Sequence, residues 1–383
     1  MLIISNVMTV ALDGESLTID KLVDVARNKH RVEVTKGAWQ RIESCRKMLE
    51  KKIEGHETMY GVTTGIGEFS EVTLTPEQIK EFQKLLVYSH AAGIGEPMEI
   101  EVVRGAMCGR INVHSKGYSG GRRKVTEYLA ESLNHGLTPV VCEKGSVGAC
   151  GDLAPMSQIA LALMGEGEMF VNGKITESKA ALKSIGLKPL ELEARDGLAI
   201  INGSNVLTAL AAIILHDAKK WMKLHDITAA MTLEALMANM KPYDKRIHVL
   251  RGFQGAQKVS ENLNLITTDS EILFSGNKKV QDAYSMRSTP QVAGALRDAV
   301  EFAIRQVETE LNGVGDNPIF LNEEKEVLTG ANFQGTPVAL PMEMIGTGLS
   351  MVAVISERRM NRLTNPALSV GLPPFLTKKP GLN

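Results

Sequence analysis

The chain has 383 residues, enough for two or three domains or for one large helical domain, and 44% of it is hydrophobic against 23% charged, which is the composition of a folded globular protein rather than a disordered one. Its 43 basic and 44 acidic side chains leave a formal charge of −1 without a long run of either sign, so neither nucleic acid nor an acidic membrane surface is a favoured partner. Four widely spaced cysteines, Cys45, Cys108, Cys142 and Cys150, lack the density of a disulfide framework and read as reduced thiols in a cytoplasm.

The apolar start from Leu2 to Met8 has no basic segment before it and meets Asp13 and Glu15 too soon for a secretory signal. An amphipathic stretch runs from Lys21 to Arg27, and helical spacing recurs from Gly37 to Lys52. Residues 53–75 carry Gly55, Gly61, Gly65 and Gly67 among Thr and Glu, which is loop composition. A helix is expected from Pro76 to Ala92, where Pro76 suits the first turn, and two more over Ile100 to Ser115 and Arg122 to Gly136. The glycine-rich stretch from Lys144 to Gly151 leads into an apolar helix through Met164, and Asn172-Gly173 marks a small hairpin over Val171 to Thr176. Ser204 can cap a very long helix reaching toward Met240, residues 251–280 read as a polar surface excursion, and Pro290 to Leu311 and Pro337 to Leu363 are two further long helices. The second ends in the basic cluster Arg358, Arg359 and Arg362. Long helices with few strands, and a core poor in aromatic residues (4%) but holding many of the 18 methionines, predict a mainly α fold built as a long-helix bundle. The longest apolar run, Val206 to Leu215, falls short of the roughly 18 residues needed to cross a bilayer, so no membrane span is expected.

Phosphate-cradling motifs are missing: Gly61-Val62-Thr63-Thr64-Gly65-Ile66-Gly67 has neither the dinucleotide spacing nor a following Gly-Lys-Ser/Thr. Seven residues separate Cys142 from Cys150, where structural zinc sites use about two to four, and no histidine pair completes a set, so no metal is expected. The unusual segment is Gly145-Ser146-Val147-Gly148-Ala149-Cys150-Gly151-Asp152-Leu153-Ala154-Pro155. By composition it is a tight turn running into a helix capped by Asp152, with the Gly151 nitrogen little covered.

The full string resembles the prosthetic-group loop of the aromatic amino acid lyase family, which holds histidine, phenylalanine and tyrosine ammonia-lyases and 2,3-aminomutases. In that family Ala-Ser-Gly cyclises to a methylidene-imidazolone, MIO, an electrophile no unmodified side chain provides. The resemblance places the tripeptide at Ala149-Cys150-Gly151, with Cys150 standing where serine is usual. Elimination of the side-chain heteroatom gives the same ring from either residue, since sulfide leaves no worse than hydroxide. The likeness continues in order through Tyr60-Gly61-Val62-Thr63-Thr64-Gly65-Ile66-Gly67, Ser89-His90-Ala91-Ala92-Gly93, Ile201-Asn202-Gly203-Ser204, Gln281 to Arg287, Asp316-Asn317-Pro318 and Gly330-Ala331-Asn332-Phe333-Gln334-Gly335.

The resemblance implies that Tyr60 is the base for the weakly acidic β-hydrogen, which asks for neighbours that favour its phenolate, because free tyrosine titrates near ~10. It implies that Arg287 binds the substrate carboxylate with its planar fork, that Asn202 contacts substrate and MIO, and that Tyr284 supports MIO and the leaving nitrogen. Gln281 and Phe333 match further pocket positions. His90 and the Gln281 segment are most similar to histidine ammonia-lyases, which points to histidine as substrate and urocanate as product. Gln334 stands where those enzymes usually carry histidine and looks more like phenylalanine lyases, and Glu68 resembles tyrosine 2,3-aminomutases, so an aminomutase or a lyase of tyrosine or phenylalanine remains open. A non-catalytic or incomplete subunit is the third reading, suggested by Cys150 and by family members continuing past the likeness to Asn383 through further helices. The family further implies a cytoplasmic homotetramer with shared active sites. On these motifs residues 1–200 form an N-terminal region carrying the tyrosine and MIO loops, and 201–383 a long-helix bundle region.

Overall fold

The computed structural model describes residues 8–379, 381 and 382; the apolar start read at Leu2 to Met8 therefore falls almost wholly outside the described residues. The chain is mainly α-helical, with 15 α-helices among the described residues and only short strands. Packing divides it into two units that alternate along the chain, Met1–Ile214 with Gln306–Ala339 and Leu215–Arg305 with Leu340–Asn383. The motif-based division at 200 is linear, whereas in the packing units residues 306–339 belong with the first.

In the first unit the helix Ile100–Ser115 is the centre of the core, since every residue from Val102 to Ser115 is buried. A Cβ on Gly105 would lie 3.0 Å from Ala209 Cβ and 3.2 Å from Leu22 Cδ2, so a bare backbone there lets Ile19–Ala26 and Asn205–Ala235 close in. Local chemistry sets the helix starts. Thr18 Oγ1 accepts from Lys21 N (3.3 Å), Thr35 Oγ1 from Ala38 N (3.3 Å), and Thr75 forms a reciprocal capping box with Gln78 ahead of Pro76–His90. The expected hairpin is present as Glu168–Val171 and Lys174–Glu177, turning through Asn172 and Gly173, both at positive φ as a two-residue turn of this hand requires. Leu137–Pro139 adds a third strand beside Glu168–Val171, and three further short pairings among the described residues belong to this unit: Thr9–Leu12 runs parallel to Arg31–Val34, Ile94–Pro97 pairs antiparallel with Cys142–Lys144, and Ile319–Leu321 pairs antiparallel with Glu326–Leu328.

The second unit has its own core of Ala229, Leu233, Leu236, Tyr243, Val259, Leu263 and Met286. Residues 251–280 are not merely a polar excursion, because they contain the helix Gln254–Ile266, which buries Ala256, Val259 and Leu263. Its start touches the helix Thr289–Leu311 backbone to backbone: a Cβ on Gly255 would fall 2.0 Å from Gly294 O. Arg359, the middle member of the basic cluster, is buried, and it donates to Thr289 Oγ1 at 3.0 Å while its Nη2 meets His225 Nε2 at 3.0 Å.

The helix Thr336–Thr364 is long and apolar enough, by length and composition, to cross a membrane, although only 28% of its most apolar window is buried. Counting uninterrupted apolar runs did not single it out because Glu343, Gly346, Thr347, Gly348 and Ser350 break the run. Its exposed apolar residues Leu340, Met344, Met351 and Val354 recur at helical spacing, as do Leu210, Ile214, Trp221, Leu224, Ile227 and Met231 on Asn205–Ala235.

A buried histidine gives the fold a pH signature. His114 Nε2 lies 2.8 Å from Ala199 O and must carry the proton, since a carbonyl only accepts, while Nδ1 accepts from Thr126 Oγ1 at 3.0 Å. Burial, and next the positive charge of Arg110, push its pKa down from 6.5 to about 3. The folded state thus keeps His114 neutral where the unfolded chain would protonate it. Its contribution to stability is complete above pH 6.5 and is lost as the pH falls toward 3, by up to about 1.4 kcal/mol per pH unit. Urea unfolding at pH 7 and pH 5 should show a smaller drop for His114→Gln than for the unsubstituted chain, and equal drops would remove His114 as the source.

Candidate active site

The tyrosine loop is held in shape by its own backbone. Met59 O accepts from the amides of Val62, Thr63 and Thr64 at 3.0–3.2 Å, and Thr63 Oγ1 takes Met59 N at 2.7 Å while donating to Glu57 O at 2.9 Å. Gly61 has φ +63°, in the left-handed region that favours glycine, and a Cβ there would meet Leu198 Cδ2 at 2.4 Å, so a side chain after Tyr60 would be strained and would push Leu198 aside. Gln83, fully buried on Pro76–His90, donates to Gly61 O (3.3 Å) and accepts from Leu198 N (3.1 Å), tying the loop to the helix Asp196–Ile201. Tyr60 Oη itself accepts from Gly67 N at 3.2 Å.

The second loop leaves the strand Cys142–Lys144 and ends at the helix Leu153–Leu163. Cys150 (φ +58°) and Gly151 (φ +81°) both adopt the left-handed backbone that turns the chain back on itself. A Cβ on Gly151 would lie 2.5 Å from the carbonyl carbon of Gly203, a backbone atom that cannot step aside. Asn202, 3% exposed, donates from Nδ2 to Cys150 O at 3.0 Å, and Asp152 N donates to Gly203 O at 2.9 Å. Asp152 occupies the N-cap position of the helix, yet its side chain does not cap it. The carboxylate instead accepts from Ser146 Oγ (2.7 Å) and Leu207 N (2.9 Å), bracing the loop from within. Burial raises the Asp152 pKa, opposed by those hydrogen bonds, and burial likewise raises that of the Cys150 thiol.

The two loops meet at one cavity of about 720 Å³, within the size range of small-molecule sites. Tyr60, Ala149, Cys150 and Gly151 line it together, Glu68, Ser89 and His90 supply polar groups, and Ile66, Phe69, Phe82, Leu85, Leu86, Val147 and Leu153 make the rest apolar. His90 Nδ1 lies 2.9 Å from both Ser89 Oγ and Leu86 O. Phe82, Leu86 and the bracing Gln83 were not singled out from the sequence; they share the face of Pro76–His90 that a helical wheel places beside His90, which is the signal that could have found them.

Asn202 reaches this site through Cys150. Phe333 and Gln334 do not line the cavity: Phe333 O accepts from Ser204 Oγ at 2.6 Å, and Gln334 borders a second cavity of about 570 Å³, where its Oε1 accepts from Thr336 N and Oγ1 at the start of Thr336–Thr364. Gln281, Tyr284 and Arg287 lie in the second unit and form their own cluster. The Arg287 guanidinium stacks 4.2 Å from the Tyr284 ring centroid and donates to Asp282 O at 2.9 Å. With its amide oriented to face a donor, Gln281 Oε1 accepts from the same guanidinium at 2.9–3.1 Å. No cluster of three or more His, Cys, Asp or Glu side chains able to hold a metal occurs among the described residues.

The chain has close likenesses among known proteins. A family model described as aromatic amino acid lyase matches residues 17–383. A histidine ammonia-lyase of Alkaliphilus metalliredigens (strain QYMF) is 43% identical over 375 residues, which are 98% of this chain and 74% of the relative. Among solved structures, a tyrosine aminomutase from Streptomyces globisporus superposes with a TM-score of 0.93 at 34% identity, over 98% of this chain and 75% of that one. A histidine ammonia-lyase from Trypanosoma cruzi gives 0.89 at 36% identity, over 98% and 71%.

Proposed function

The chain belongs to the aromatic amino acid lyase family and is a carbon–nitrogen lyase, and from that premise we propose that it eliminates ammonia from an aromatic L-amino acid, L-histidine giving trans-urocanate. The observation that carries the reading is the single cavity onto which Tyr60, His90 and Ala149-Cys150-Gly151 all open. The relatives named histidine ammonia-lyase favour histidine among the aromatic amino acids, and His90 with Ser89 and Glu68 gives the cavity the polar partners an imidazole needs.

The tripeptide fits the MIO. Its left-handed turn brings the chain back on itself at the bond to be closed, and the cradle against Gly203 admits only a glycine at 151. The MIO, when formed, supplies the electrophile that makes a substrate nitrogen electron-poor enough to leave. The chain's own residues do the rest. The Tyr60 oxygen, which accepts from Gly67 N, takes the substrate's β-proton as its phenolate, and the apolar part of the wall packs the substrate ring. Asn202 keeps the Cys150 carbonyl oriented. By the resemblance, Arg287 takes the carboxylate, Tyr284 supports the leaving nitrogen, and Gln281, Phe333 and Gln334 complete the pocket. The exposed apolar stripes of Asn205–Ala235 and Thr336–Thr364 support assembly as a homotetramer, where burial would stabilise them. In this reading the enzyme is cytoplasmic, with 1–200 carrying both reactive loops and 201–383 the bundle.

Glu68 on the cavity wall and the likeness to a tyrosine aminomutase favour one second reading, a 2,3-aminomutase. A panel of L-histidine, L-tyrosine and L-phenylalanine, with products separated as unsaturated acid and β-amino acid, decides between them. Urocanate and ammonia in equal amounts are expected; a β-amino acid as main product would select the aminomutase, and no turnover on any of the three would sink both.

A further inference from the structure

Arg110 is fully buried in the middle of Ile100–Ser115, and its guanidinium donates to four acceptors: Ala199 O (2.6 Å), Asn202 O (2.9 Å), Gly315 O (3.0 Å) and Asp316 Oδ2 (2.7 Å). The other Asp316 oxygen accepts from Arg195 Nη2 at 2.6 Å, and Arg195 donates to Ser119 O and Asn317 O. All three side chains have no exposed surface. Burying two cations and one anion costs several kcal/mol per ion, and packed apolar residues would often be as stable, so stability alone is a poor reason for the arrangement. Geometry is a better one. A planar fork bonded in fixed directions to four groups immobilises each of them.

One of those groups is the carbonyl of Asn202, whose side chain holds Cys150 O from the other side. The neighbouring Gly203 is pinned between the same partners: a Cβ there would lie 2.8 Å from Arg110 Nη1 and 2.7 Å from Gly315 O, and Gly203 O accepts from Asp152 N. Arg110 and the 149–152 turn thus grip opposite sides of one dipeptide. We infer that Arg110, anchored by Asp316, is a positioning residue that sets the Asn202–Cys150 contact on which ring closure at 149–151 and subsequent turnover depend. This rests on the reading of Ala149-Cys150-Gly151 as the MIO tripeptide proposed above.

Arg195 is the built-in control, because it binds the same carboxylate at the same burial without touching Asn202. Arg110→Gln and Arg195→Gln each leave one arginine paired one to one with Asp316, so neither strands a buried charge. Both are made in the full chain, alone and with Asn202→Ala, and read by melting temperature, by the share of chain whose intact mass lacks one water and one hydrogen sulfide, and by kcat. Arg110→Gln is expected to lower the cyclised share and to cut kcat per cyclised site more than about tenfold when made alone, and to add nothing further to Asn202→Ala; Arg195→Gln, at a similar loss of melting temperature, keeps both within about threefold. Equal effects of the two glutamines, or effects of Arg110→Gln and Asn202→Ala that multiply, would overturn the inference while leaving the lyase reading standing. An unsubstituted chain of full encoded mass would overturn both. Should Arg110→Gln not fold, Arg110→Lys against Arg195→Lys, which keep the charge and lose the fork, is judged by the same outcomes.

Discussion

Tyr60→Phe should lower kcat on the preferred substrate by about a thousandfold, within the range that a positioned proton-transfer group supplies, while the protein stays folded and cyclised. Among the described residues Tyr60 contributes the only phenol on the cavity wall, and its oxygen accepts one hydrogen bond, from Gly67 N. Losing that bond costs on the order of 1 kcal/mol, which moves the melting temperature by a few degrees at most in a chain of this size. Phenylalanine keeps the ring that packs there, so KM should change far less than kcat. The described residues give Tyr60 no hydrogen bond to Ala149, Cys150 or Gly151, and the mass deficit of the ring should survive the substitution. Three readouts separate the roles: kcat falls if the phenol is the base, the intact mass reports the ring, and the melting temperature reports the fold. Turnover retained within tenfold would remove Tyr60 as the base, and loss of the mass deficit would make its role structural.

The residues that line the cavity could be picked out in the sequence where they sit on loops whose shape demands unusual residues. Gly61 and Gly151 are favoured by positive φ and by Leu198 and Gly203 pressing on the missing Cβ, and such positions stand out as glycine strings. The helices were legible where one face alone is buried, as in Pro76–His90, where Ile79, Gln83, Leu86 and Val87 follow helical spacing. The parallel pair Thr9–Leu12 and Arg31–Val34 was missed because each strand is four residues long and its partner lies beyond a helix. Gln254–Ile266 was missed because few apolar residues suffice when glycine lets two backbones touch.

What the sequence could not show is the bracing. Gln83, Arg110 and Asp152 look like ordinary polar residues of helices and turns, and only the folded chain reveals that each also hydrogen-bonds backbone of a cavity loop or of the segment beside it. Gln334, a position the motif marks for the pocket, also accepts from Thr336 N and Oγ1 at the start of a helix, which the motif does not record.

Cys150→Ala should abolish the ring and lower turnover by at least about a thousandfold, the scale lost when a covalent catalytic group is removed, while Cys150→Ser should preserve both. In the closure, Gly151 N bonds to the Ala149 carbonyl carbon, and that carbonyl oxygen leaves as water with one hydrogen from Gly151 N and one from Cys150 N. The Cys150 Cα hydrogen and sulfhydryl then leave as hydrogen sulfide, giving the methylidene. Alanine can lose the water but has no group to expel. Serine expels a second water, so its mass deficit should be two waters instead of one water and one hydrogen sulfide. Burial raises the Cys150 pKa above that of an ordinary thiol. The backbone at Cys150 and Gly151 is bent in the left-handed region, and serine differs from cysteine only in the heteroatom, so the serine form should close as readily. An intact mass equal to the encoded value in both the cysteine and serine forms, together with turnover unchanged in Cys150→Ala, would take the ring out of the mechanism altogether.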